Sequence, residues 1–376
     1  MQTVYFPNLG WSIDLNPVAF SIGNLTFRWY GILIAIGFLL AIVYAFKRIK
    51  EFGLDADRAI DVILAGTIGA IIGARLYYVI FQWSEFKDNL VSIFQIWNGG
   101  LAIYGGIIGA FSAGALFCKI RKVKILPMFD MVCSAFLIGQ AIGRWGNFIN
   151  VEAFGGNTTL PWGMTSARIK SYLAEHELAL EAIGMNIDPS LPVHPTFLYE
   201  SLWCLIGFVL IALYIKHRRF DGEITLFYAG WYSLGRMFIE GLRTDSLMIG
   251  SLRVSQVLAG LLFLASLIAW IVIRNKIRLS HDPEFLKLYV LTEEGQEVVA
   301  GTYYKRLKEE AAAEKSDEGC DCAEECTCDE TCDCAEECTC DETCDCAEEC
   351  TCDKNCGCAE ECACDCESAA DTANKE

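Results

Sequence analysis

Cysteine and surplus charge are nearly absent from the first 308 residues of this chain. Of its 20 cysteines, 17 lie at or after Cys320, and residues 309–376 hold 25 of the 48 acidic residues but only three lysines. The formal net charge of −18 therefore belongs to this C-terminal segment, because residues 1–308 carry 27 basic and 23 acidic side chains. The overall acidity consequently excludes nothing about what the rest of the chain binds.

The N-terminus lacks the short basic, apolar and small-residue pattern of a cleaved signal peptide. The first apolar run, from Leu25 onward, is therefore expected to remain as a membrane span. The chain is 53% hydrophobic, and it repeats apolar runs of about 20 residues, the length that crosses roughly 30 Å of hydrocarbon. These runs predict seven helices, at 25–46, 59–82, 99–118, 126–150, 197–215, 223–242 and 252–273. The predicted fold is an all-α, polytopic integral membrane protein.

Positive charge is sparse in every second connection between these spans. The loops 83–98, 151–196 and 243–251 have little basic excess, whereas basic residues cluster after the first, third, fifth and seventh spans. Basic loops stay in the cytoplasm. The N-terminus is therefore predicted to lie outside and the C-terminus in the cytoplasm.

Polar side chains interrupt the apolar spans near their outer ends. The string GRWGNFINVE at 143–152 places an arginine, two asparagines and a glutamate at the end of the fourth span. Ionisable groups at membrane depth are costly, so they mark candidate functional sites. Residues that share a helical face are Gln140, Arg144 and Asn147 on the fourth span, and Tyr232, Arg236, Glu240 and Arg243 on the sixth. Others at similar predicted depth are Arg28, Tyr30, Arg75, Tyr104 and His194.

An excess of arginine over acid at this depth predicts a positive pocket, and a phospholipid head group is the anion available to it. Two structural interpretations stay open: a salt bridge that only clamps helices together, and an Arg236–Glu240 pair that neutralises itself. A transporter or channel is the main rival function, because polar residues in a helical bundle also mark permeation pathways. That function predicts polar stripes through the inner half of the bundle, which is mostly apolar here.

Glycine spacing predicts close helix packing. Three pairs lie four residues apart, namely Gly69 and Gly73, Gly105 and Gly109, and Gly139 and Gly143. Paired glycines at 99–100 and 105–106 flank Tyr104 and permit an irregular backbone whose N–H groups can meet a phosphate, although a plain loop is equally compatible. Residues 151–196 are predicted to form an extracytoplasmic arm with an amphipathic helix from about 166 to 183, acting either as a gate or as a passive cap.

Six ordered strings in residues 1–280 resemble the prolipoprotein diacylglyceryl transferase family. They are FRWYG at 27–31, GAR at 73–75, WNGGL at 97–101, GRWGNFINVE at 143–152, HPTFLYE at 194–200 and RMFIEGLR at 236–243. The resemblance implies transfer of the diacylglyceryl group of phosphatidylglycerol to the lipobox cysteine of exported prolipoproteins, with a thioether formed and glycerol phosphate released. It also implies a bacterial cytoplasmic membrane protein with its site toward the outer leaflet, membrane lipids as partners, no cofactor and no nucleic acid.

Site residues follow from this resemblance position by position. The catalytic set is Arg144, Arg236, Glu240 and Tyr104; the substrate-binding set is Tyr30, Asn147, Glu152, Gly155, Tyr232, Arg243 and His194. Glu200 matches a family string without a defined role. Bidentate guanidinium geometry suits phosphate, so Arg144 and Arg236 are expected on the phosphate with Arg243 assisting. Either Glu240 or Glu152 is expected to orient these arginines or to take the thiol proton.

One departure from the family concerns Tyr104, where many members carry a histidine proposed as a base. A phenol has a reference pKa near 10 and an imidazole one near 6.5. A tyrosine is therefore a poor proton acceptor at neutral pH. Tyr104 is expected to donate a hydrogen bond to phosphate or glycerol oxygens, as Tyr30 and Tyr232 can.

The C-terminal segment is a low-complexity repeat. The twelve-residue unit CDCAEECTCDET starts at Cys320 and recurs with variations to about Cys366. Because disulfides are rare in the cytoplasm, Cys-X-Cys pairs such as Cys320, Cys322, Cys326 and Cys328 are candidate thiolate ligands for soft metal ions. A disordered acidic appendage without metal is the alternative, and a membrane-anchored metal sensor is a second rival function. The predicted domains are a transmembrane catalytic domain at 1–280, without a metal site, a cytoplasmic linker at 281–313 and the cysteine-rich tail at 314–376.

Overall fold

Long apolar helices make up most of the computed structural model, which describes residues 2–23, 25–246, 248–249, 252–282 and 284–317. Within that part of the chain, six helices are long and apolar enough to cross a membrane. They are α1 (Trp29–Lys47), α2 (Ala56–Phe81), α4 (Ile103–Ile120), α5 (Ile125–Asn150), α7 (Thr196–Tyr214) and α9 (Val254–Leu279). Shorter helices are α3 (Trp83–Phe86), α6 (Ala167–Ala182), α8 (Glu223–Glu240), α10 (Glu293–Ala300) and α11 (Tyr303–Asp317).

A helix stands at each of the seven predicted spans. Six of these seven helices are apolar enough to cross a membrane by composition. The seventh, α8, is helical as predicted but is less apolar than the other six. It carries Glu223, Arg236 and Glu240 within 18 residues. These charges reduce its mean hydropathy, and two of them belong to the site described below.

The prediction of an all-α fold is wrong in detail, because short strands flank the helices. They are β1 (Gln2–Phe6), β2 (Trp11–Leu15), β3 (Val18–Ile22), β4 (Leu25–Arg28), β5 (Thr165–Ser166), β6 (Met248–Ile249) and β7 (Leu252–Arg253). β1 pairs antiparallel with both β2 and β5, and β3 pairs antiparallel with β4. The first span therefore begins at Trp29 and not at Leu25, since residues 25–28 are taken up by a hairpin. Apolar residues in short alternating runs are compatible with either state.

The segment predicted as an arm contains the expected helix, α6. Its N-cap is Ser166, whose hydroxyl accepts a hydrogen bond from the Ile169 N–H at 3.1 Å. Ile169 and Leu173 are fully buried beside Val4 of β1 in a small apolar core. The N-terminal sheet and the arm thus form one cap over the ends of α5 and α7.

Glycines allow the spans to approach closely, as predicted. On α2, a Cβ added to Gly73 would lie 2.4 Å from the Gly105 carbonyl oxygen of α4. On α1, one added to Gly37 would lie 3.1 Å from the Cα of Gly139 on α5. α7 and α8 meet through stacked indoles, since Trp203 and Trp231 each donate to the other's carbonyl oxygen at 2.9 Å. Helix contact in lipid depends on such packing and hydrogen bonding.

The basic loops all meet at one end of the bundle. Arg58 donates to the Arg121 carbonyl oxygen at 2.6 Å, and Arg218 donates to the Glu51 carbonyl oxygen at 2.5 Å. Asp130 is fully buried there and caps α8, accepting hydrogen bonds from the Gly222 and Thr225 N–H groups at 2.8 Å. We call this the basic end; the N-terminal sheet lies at the opposite end.

Part of the predicted linker belongs to the compact unit Met1–Ala300. The Tyr289 N–H donates to Asp221 at 2.7 Å, and Glu294 pairs with Lys124 at 3.0 Å. Gly295 lies against the Tyr289 backbone, so residues 289–300 fold onto the basic end. A second unit covers Gly301–Glu376, of which α11 is described; the cysteine repeat lies outside the described residues.

Candidate active site

Glu200 is the centre of a buried cluster of arginines. It lies one turn into α7, is 6% exposed, and pairs with three guanidinium groups from different parts of the chain. Its Oε2 lies 2.5 Å from Arg144 Nε on α5, and its Oε1 lies 3.0 Å from Arg236 Nη1 on α8. The same Oε1 lies 3.3 Å from Arg243 Nη1, just beyond α8. Arginines predicted from separate spans thus meet at one carboxylate.

Two further acids balance this cluster. Arg236 Nη2 lies 2.6 Å from Glu240 Oε2, an ion contact by distance that is not aligned as a hydrogen bond. Arg243 donates from Nε and Nη2 to the two oxygens of Asp245 at 2.8 and 2.7 Å. Three arginines therefore face three carboxylates, so the predicted excess of positive charge is absent from this set. The self-neutralising Arg236–Glu240 pair does form, but Arg236 also reaches Glu200.

Asp245 and Arg243 hold one another in the charged state. Both residues lie beyond the end of α8. Burial acts to raise the pKa of Asp245, but its hydrogen bonds and charge contact with Arg243 outweigh burial and hold that pKa below its usual range. The Arg243 pKa is raised by the same pairing, against the effect of its burial.

A fourth arginine stabilises the end of α8. Arg253 Nη1 donates to the carbonyl oxygens of Glu240 and Arg243, the latter at 2.8 Å, and to Ser246 Oγ at 3.2 Å. Carbonyl groups at a helix C-terminus have no intrahelical partner and carry partial negative charge, which a cation stabilises. Arg253 therefore fixes the segment that carries Arg243.

A polar chain runs from Arg144 along the end of α5. Arg144 Nη1 lies 3.5 Å from Asn147 Oδ1, and Asn147 Nδ2 donates to Glu152 Oε1 at 2.9 Å. Asn150 Nδ2 donates to the same oxygen at 3.2 Å. α5 ends at Asn150, and the next residue, Val151, adopts the left-handed conformation with φ of 49°, so that the chain turns and Glu152 faces the two asparagines. The predicted signature residues therefore form a connected set.

Gly155 and His194 form the wall behind Arg243. The Gly155 N–H donates to the His194 carbonyl oxygen at 2.9 Å, and Gly155 bridges to Arg243 in antiparallel fashion. A Cβ at Gly155 would lie 2.8 Å from the His194 Cβ, so the close approach requires glycine. His194 Nδ1 lies 3.1 Å from the Tyr199 hydroxyl. Burial lowers the pKa of His194, which favours the neutral ring.

The two tyrosines predicted to bind substrate, Tyr30 and Tyr232, line different spaces. Tyr232 lines a void of about 10 Å³ together with Glu200 and Arg236. Tyr30 packs on Gly146, where an added Cβ would lie 2.6 Å from its ring. Tyr30 also lines an open cleft of about 560 Å³, which we call the α1 cleft; its other lining residues are Thr26, Phe27, Arg28, Gly31, Ile32, Ala35 and Asn150. Through Asn150 the α1 cleft adjoins the polar chain that leads to Arg144.

Among the described residues, neither Tyr104 nor Arg75 forms a hydrogen bond or an ion pair with the cluster. The Tyr104 hydroxyl lies 3.3 Å from Ser255 Oγ on α9. Arg75 instead donates to backbone carbonyl oxygens of the loop between α2 and α4. Arg75 was predicted only to lie at the same depth as the other outer arginines, and its guanidinium group binds this loop and not the cluster.

The role of Glu200 was missed from sequence. The signal was present, since Glu200 is an acid inside an apolar span and ends the string HPTFLYE. Asp245 and Arg253 were also missed. They lie in loops and short strands, where no helical spacing relates them to the other site residues. Within the described residues, no group of three or more histidine, cysteine or acidic side chains could hold a metal ion; the predicted ligands Cys320, Cys322, Cys326 and Cys328 lie outside those residues.

Comparison with known proteins gives a consistent result. A family model described as prolipoprotein diacylglyceryl transferase matches residues 17–272. A phosphatidylglycerol–prolipoprotein diacylglyceryl transferase of Limosilactobacillus reuteri is 43% identical over 272 residues, covering 72% of this chain and 95% of that protein. Proteins of the same name are similar in Staphylococcus aureus, at 42% identity over 72% of this chain and 91% of theirs, and in Listeria welshimeri, at 41% over 67% and 88%. The matched region contains every residue of the cluster.

Proposed function

This chain belongs to the prolipoprotein diacylglyceryl transferase family, and from that premise we propose that Arg144 and Arg236 bind the phosphate of phosphatidylglycerol during transfer. The chain is a multi-pass membrane protein with phosphatidylglycerol–prolipoprotein diacylglyceryl transferase activity. The observation that carries the proposal is the convergence of Arg144 and Arg236 on the two oxygens of Glu200, at 2.5 and 3.0 Å. Two guanidinium groups that bind the same carboxylate lie close enough to each other to bind one phosphate group together.

The phosphate is expected on the side of the guanidinium groups that faces away from Glu200. The void beside Tyr232 is about 10 Å³, no more than the minimum for one water molecule, so a phosphate group does not fit there. Arg144 and Arg236 each keep 21% of their side chain exposed, whereas Glu200 and Glu240 are nearly fully buried. The exposed parts of these two side chains are therefore accessible to a ligand, while the carboxylates fix the planes of the guanidinium groups.

The remaining predicted residues take supporting roles. Arg243, exposed by 10% and engaged with both Glu200 and Asp245, assists through charge. Glu200 is a positioning residue, because it acts on the substrate through the arginines. Tyr30 in the α1 cleft and Tyr232 beside Arg236 offer hydroxyl groups to the lipid. Tyr104, bound to Ser255, contributes at most at the margin of the site.

The chemistry follows from this charge distribution. The lipobox thiolate attacks the carbon of the diacylglyceryl unit that bears the phosphoester oxygen, a sulfur–carbon bond forms, and the bond between that carbon and the oxygen breaks. Glycerol phosphate leaves with the electron pair on its oxygen. Guanidinium groups lower the pKa of a nearby thiol, and they bind the departing phosphate more strongly as charge builds on it. Both effects come from Arg144 and Arg236.

Glu152 is the better candidate to accept the thiol proton. Glu240 is only 2% exposed and paired to Arg236, so it is shielded from substrate. Glu152 is half-buried and lies next to Asn150 at the α1 cleft. We infer that Glu240 orients Arg236 and that Glu152 receives the proton.

The proposed topology has seven membrane spans, with α8 as the sixth. Supporting it are a helix at each predicted position and the gathering of the basic loops at one end. The N-terminus then lies outside, the C-terminus lies in the cytoplasm, and the arginine cluster faces the outer leaflet of the bacterial cytoplasmic membrane. Exported prolipoproteins and phosphatidylglycerol reach the site from that side. The C-terminal cysteine repeat then lies in the cytoplasm, where we propose that it binds soft metal ions.

The proposal is tested by transfer of labelled diacylglycerol from phosphatidylglycerol to a lipobox peptide with purified protein. Arg144→Ala should lower turnover by about 10²- to 10³-fold, the usual loss for one transition-state donor. Its thermal stability should change little, since Glu200 keeps Arg236 and Arg243 as partners. Arg306→Ala, on exposed helix α11, is the matched control and should retain full activity. A collapse of stability in Arg144→Ala with normal turnover in the folded fraction would favour a purely structural clamp.

A further inference from the structure

The loop between α2 and α4 combines an apolar surface with an irregular backbone. Residues 90–101, LVSIFQIWNGGL, contain no charged side chain. They form two short 3₁₀ turns, Leu90–Phe94 and Ile96–Asn98, followed by two glycines. Phe94 and Trp97 are 77% and 76% exposed. A soluble loop rarely presents large apolar groups in this way.

Arg75 satisfies the backbone of this loop from the inside. It is buried at 7% exposure and donates to four carbonyl oxygens. The partners are Ile93 at 2.7 Å, Gly99 at 2.8 Å, Gly100 at 2.9 Å and Ser92 at 2.6 Å. One side chain thus replaces the water that these carbonyl groups would otherwise need.

The glycines make this arrangement possible. Gly99 and Gly100 have φ of 90° and 75°, in the region that other residues rarely adopt. A Cβ on Gly100 would lie 2.5 Å from Arg75 Nη1 and 2.9 Å from the Tyr78 ring. The loop then closes onto α2, since the Ala102 N–H donates to the Ala74 carbonyl oxygen at 3.1 Å.

We propose that residues 90–101 are inserted into the bilayer, at the boundary between head groups and acyl chains of the leaflet on the side of the arginine cluster. Irregular backbone is tolerated at membrane depth only where its polar groups are satisfied by protein, and Arg75 does this for four carbonyls. Tryptophan is favoured at that boundary. The apolar surface also continues into the exposed faces of the adjoining spans, through Phe81 on α2 and Ile103 on α4. The occupant of this surface is therefore lipid.

Fluorescence quenching in single-copy lipid nanodiscs tests the proposal. The emission of Trp97 is obtained as the difference between the wild-type protein and Trp97→Phe, a change that alters only an exposed side chain. Phospholipids brominated near the head-group end of the acyl chain should remove most of this difference emission, and aqueous acrylamide should remove little. If acrylamide quenches Trp97 and the brominated lipids do not, the loop lies in water and the proposal fails. If neither quenches it, another protein surface covers the loop and the proposal fails equally.

Arg75→Lys provides a second test that separates backbone satisfaction from charge. Lysine keeps the positive charge, but its single ammonium group cannot reach four carbonyl oxygens in the fork arrangement of a guanidinium. The variant should shift Trp97 from lipid quenching toward acrylamide quenching. Unchanged quenching in Arg75→Lys would show that the arginine is not what holds the loop in the bilayer. Because neither readout uses transfer activity, the result is independent of the proposed phosphate site.

Discussion

At the scale of single residues, the site depends on how carboxylates hold the arginines. Glu200 engages Arg144, Arg236 and Arg243 while remaining 6% exposed. A buried ion pair is expensive in desolvation and contributes little net stability compared with apolar packing. The ion pairs of Glu200 act through geometry, because they hold the guanidinium groups in the orientation that binds the lipid phosphate before the lipid arrives.

Glu200→Gln gives the sharpest kinetic prediction. The amide keeps the shape and one acceptor oxygen but removes the counter-charge, so the freed guanidinium groups bind ground-state phosphatidylglycerol more tightly and are less well oriented. Both KM for phosphatidylglycerol and kcat should fall. Steady-state transfer over a range of lipid mole fractions measures this split. An unchanged KM accompanied by a loss of thermal stability would indicate a structural role alone.

We expect the thermal stability of the protein to depend on pH through the protonation of His194. Its pKa is lowered by burial in the folded protein, so the unfolded chain binds more protons at mildly acidic pH. The contribution of His194 to stability is therefore complete above the unfolded pKa of about 6.5 and is lost as pH falls through the folded pKa. His194→Gln should flatten this part of the profile of thermal midpoint against pH. Identical slopes in the variant and the wild type would exclude His194 as the titrating group.

At the scale of elements, helix pairs are held by backbone contact at glycines. The antiparallel pair α2 and α4 is the clearest case, with Gly69 and Gly109 facing each other. Gly109→Ala should destabilise the protein by about 1–3 kcal/mol, the usual cost of overpacking, because its Cβ would lie 2.1 Å from the Gly69 carbonyl oxygen. Gly106→Ala on the same helix is the control, since its Cβ meets only ordinary contacts at 3.6 Å. Equal thermal midpoints for the two variants would contradict this packing.

Helix positions could be predicted from sequence, whereas the partners of several side chains could not. Apolar length placed a helix at each span, closely at α5, predicted at 126–150 and observed at Ile125–Asn150, and less closely at α9, predicted at 252–273 and observed at Val254–Leu279. Helical spacing also placed Arg236 and Glu240 on one face. Spacing within one helix contains no information on contacts between helices, so neither the central place of Glu200 nor the diversion of Arg75 to a loop could be predicted. The strands were not predicted because they are only two to five residues long.

At the scale of the whole molecule, the chain divides into a membrane unit and a C-terminal appendage. The family match ends at residue 272, and the compact unit ends at Ala300. Every site residue lies within the first unit. Deletion of residues 314–376 should therefore leave diacylglyceryl transfer undiminished.

The same deletion tests the proposed thiolate ligands. Soft metal ions such as zinc or copper(I) should co-purify with the full chain and be lost both on deletion and on replacement of the repeat cysteines by serine. Elemental analysis of the purified proteins measures this. Equal metal content in the full chain and in the serine variant would exclude thiolate binding, and reduced transfer on deletion would show that the tail is not accessory.

The position of the lipid phosphate decides whether Arg144 and Arg236 act as proposed. An experimental structure with bound phosphatidylglycerol measures this directly. We predict a phosphate oxygen within about 3 Å of guanidinium nitrogens of both Arg144 and Arg236, on the side away from Glu200. A phosphate bound elsewhere, with both arginines still engaged only by carboxylates, would contradict the account.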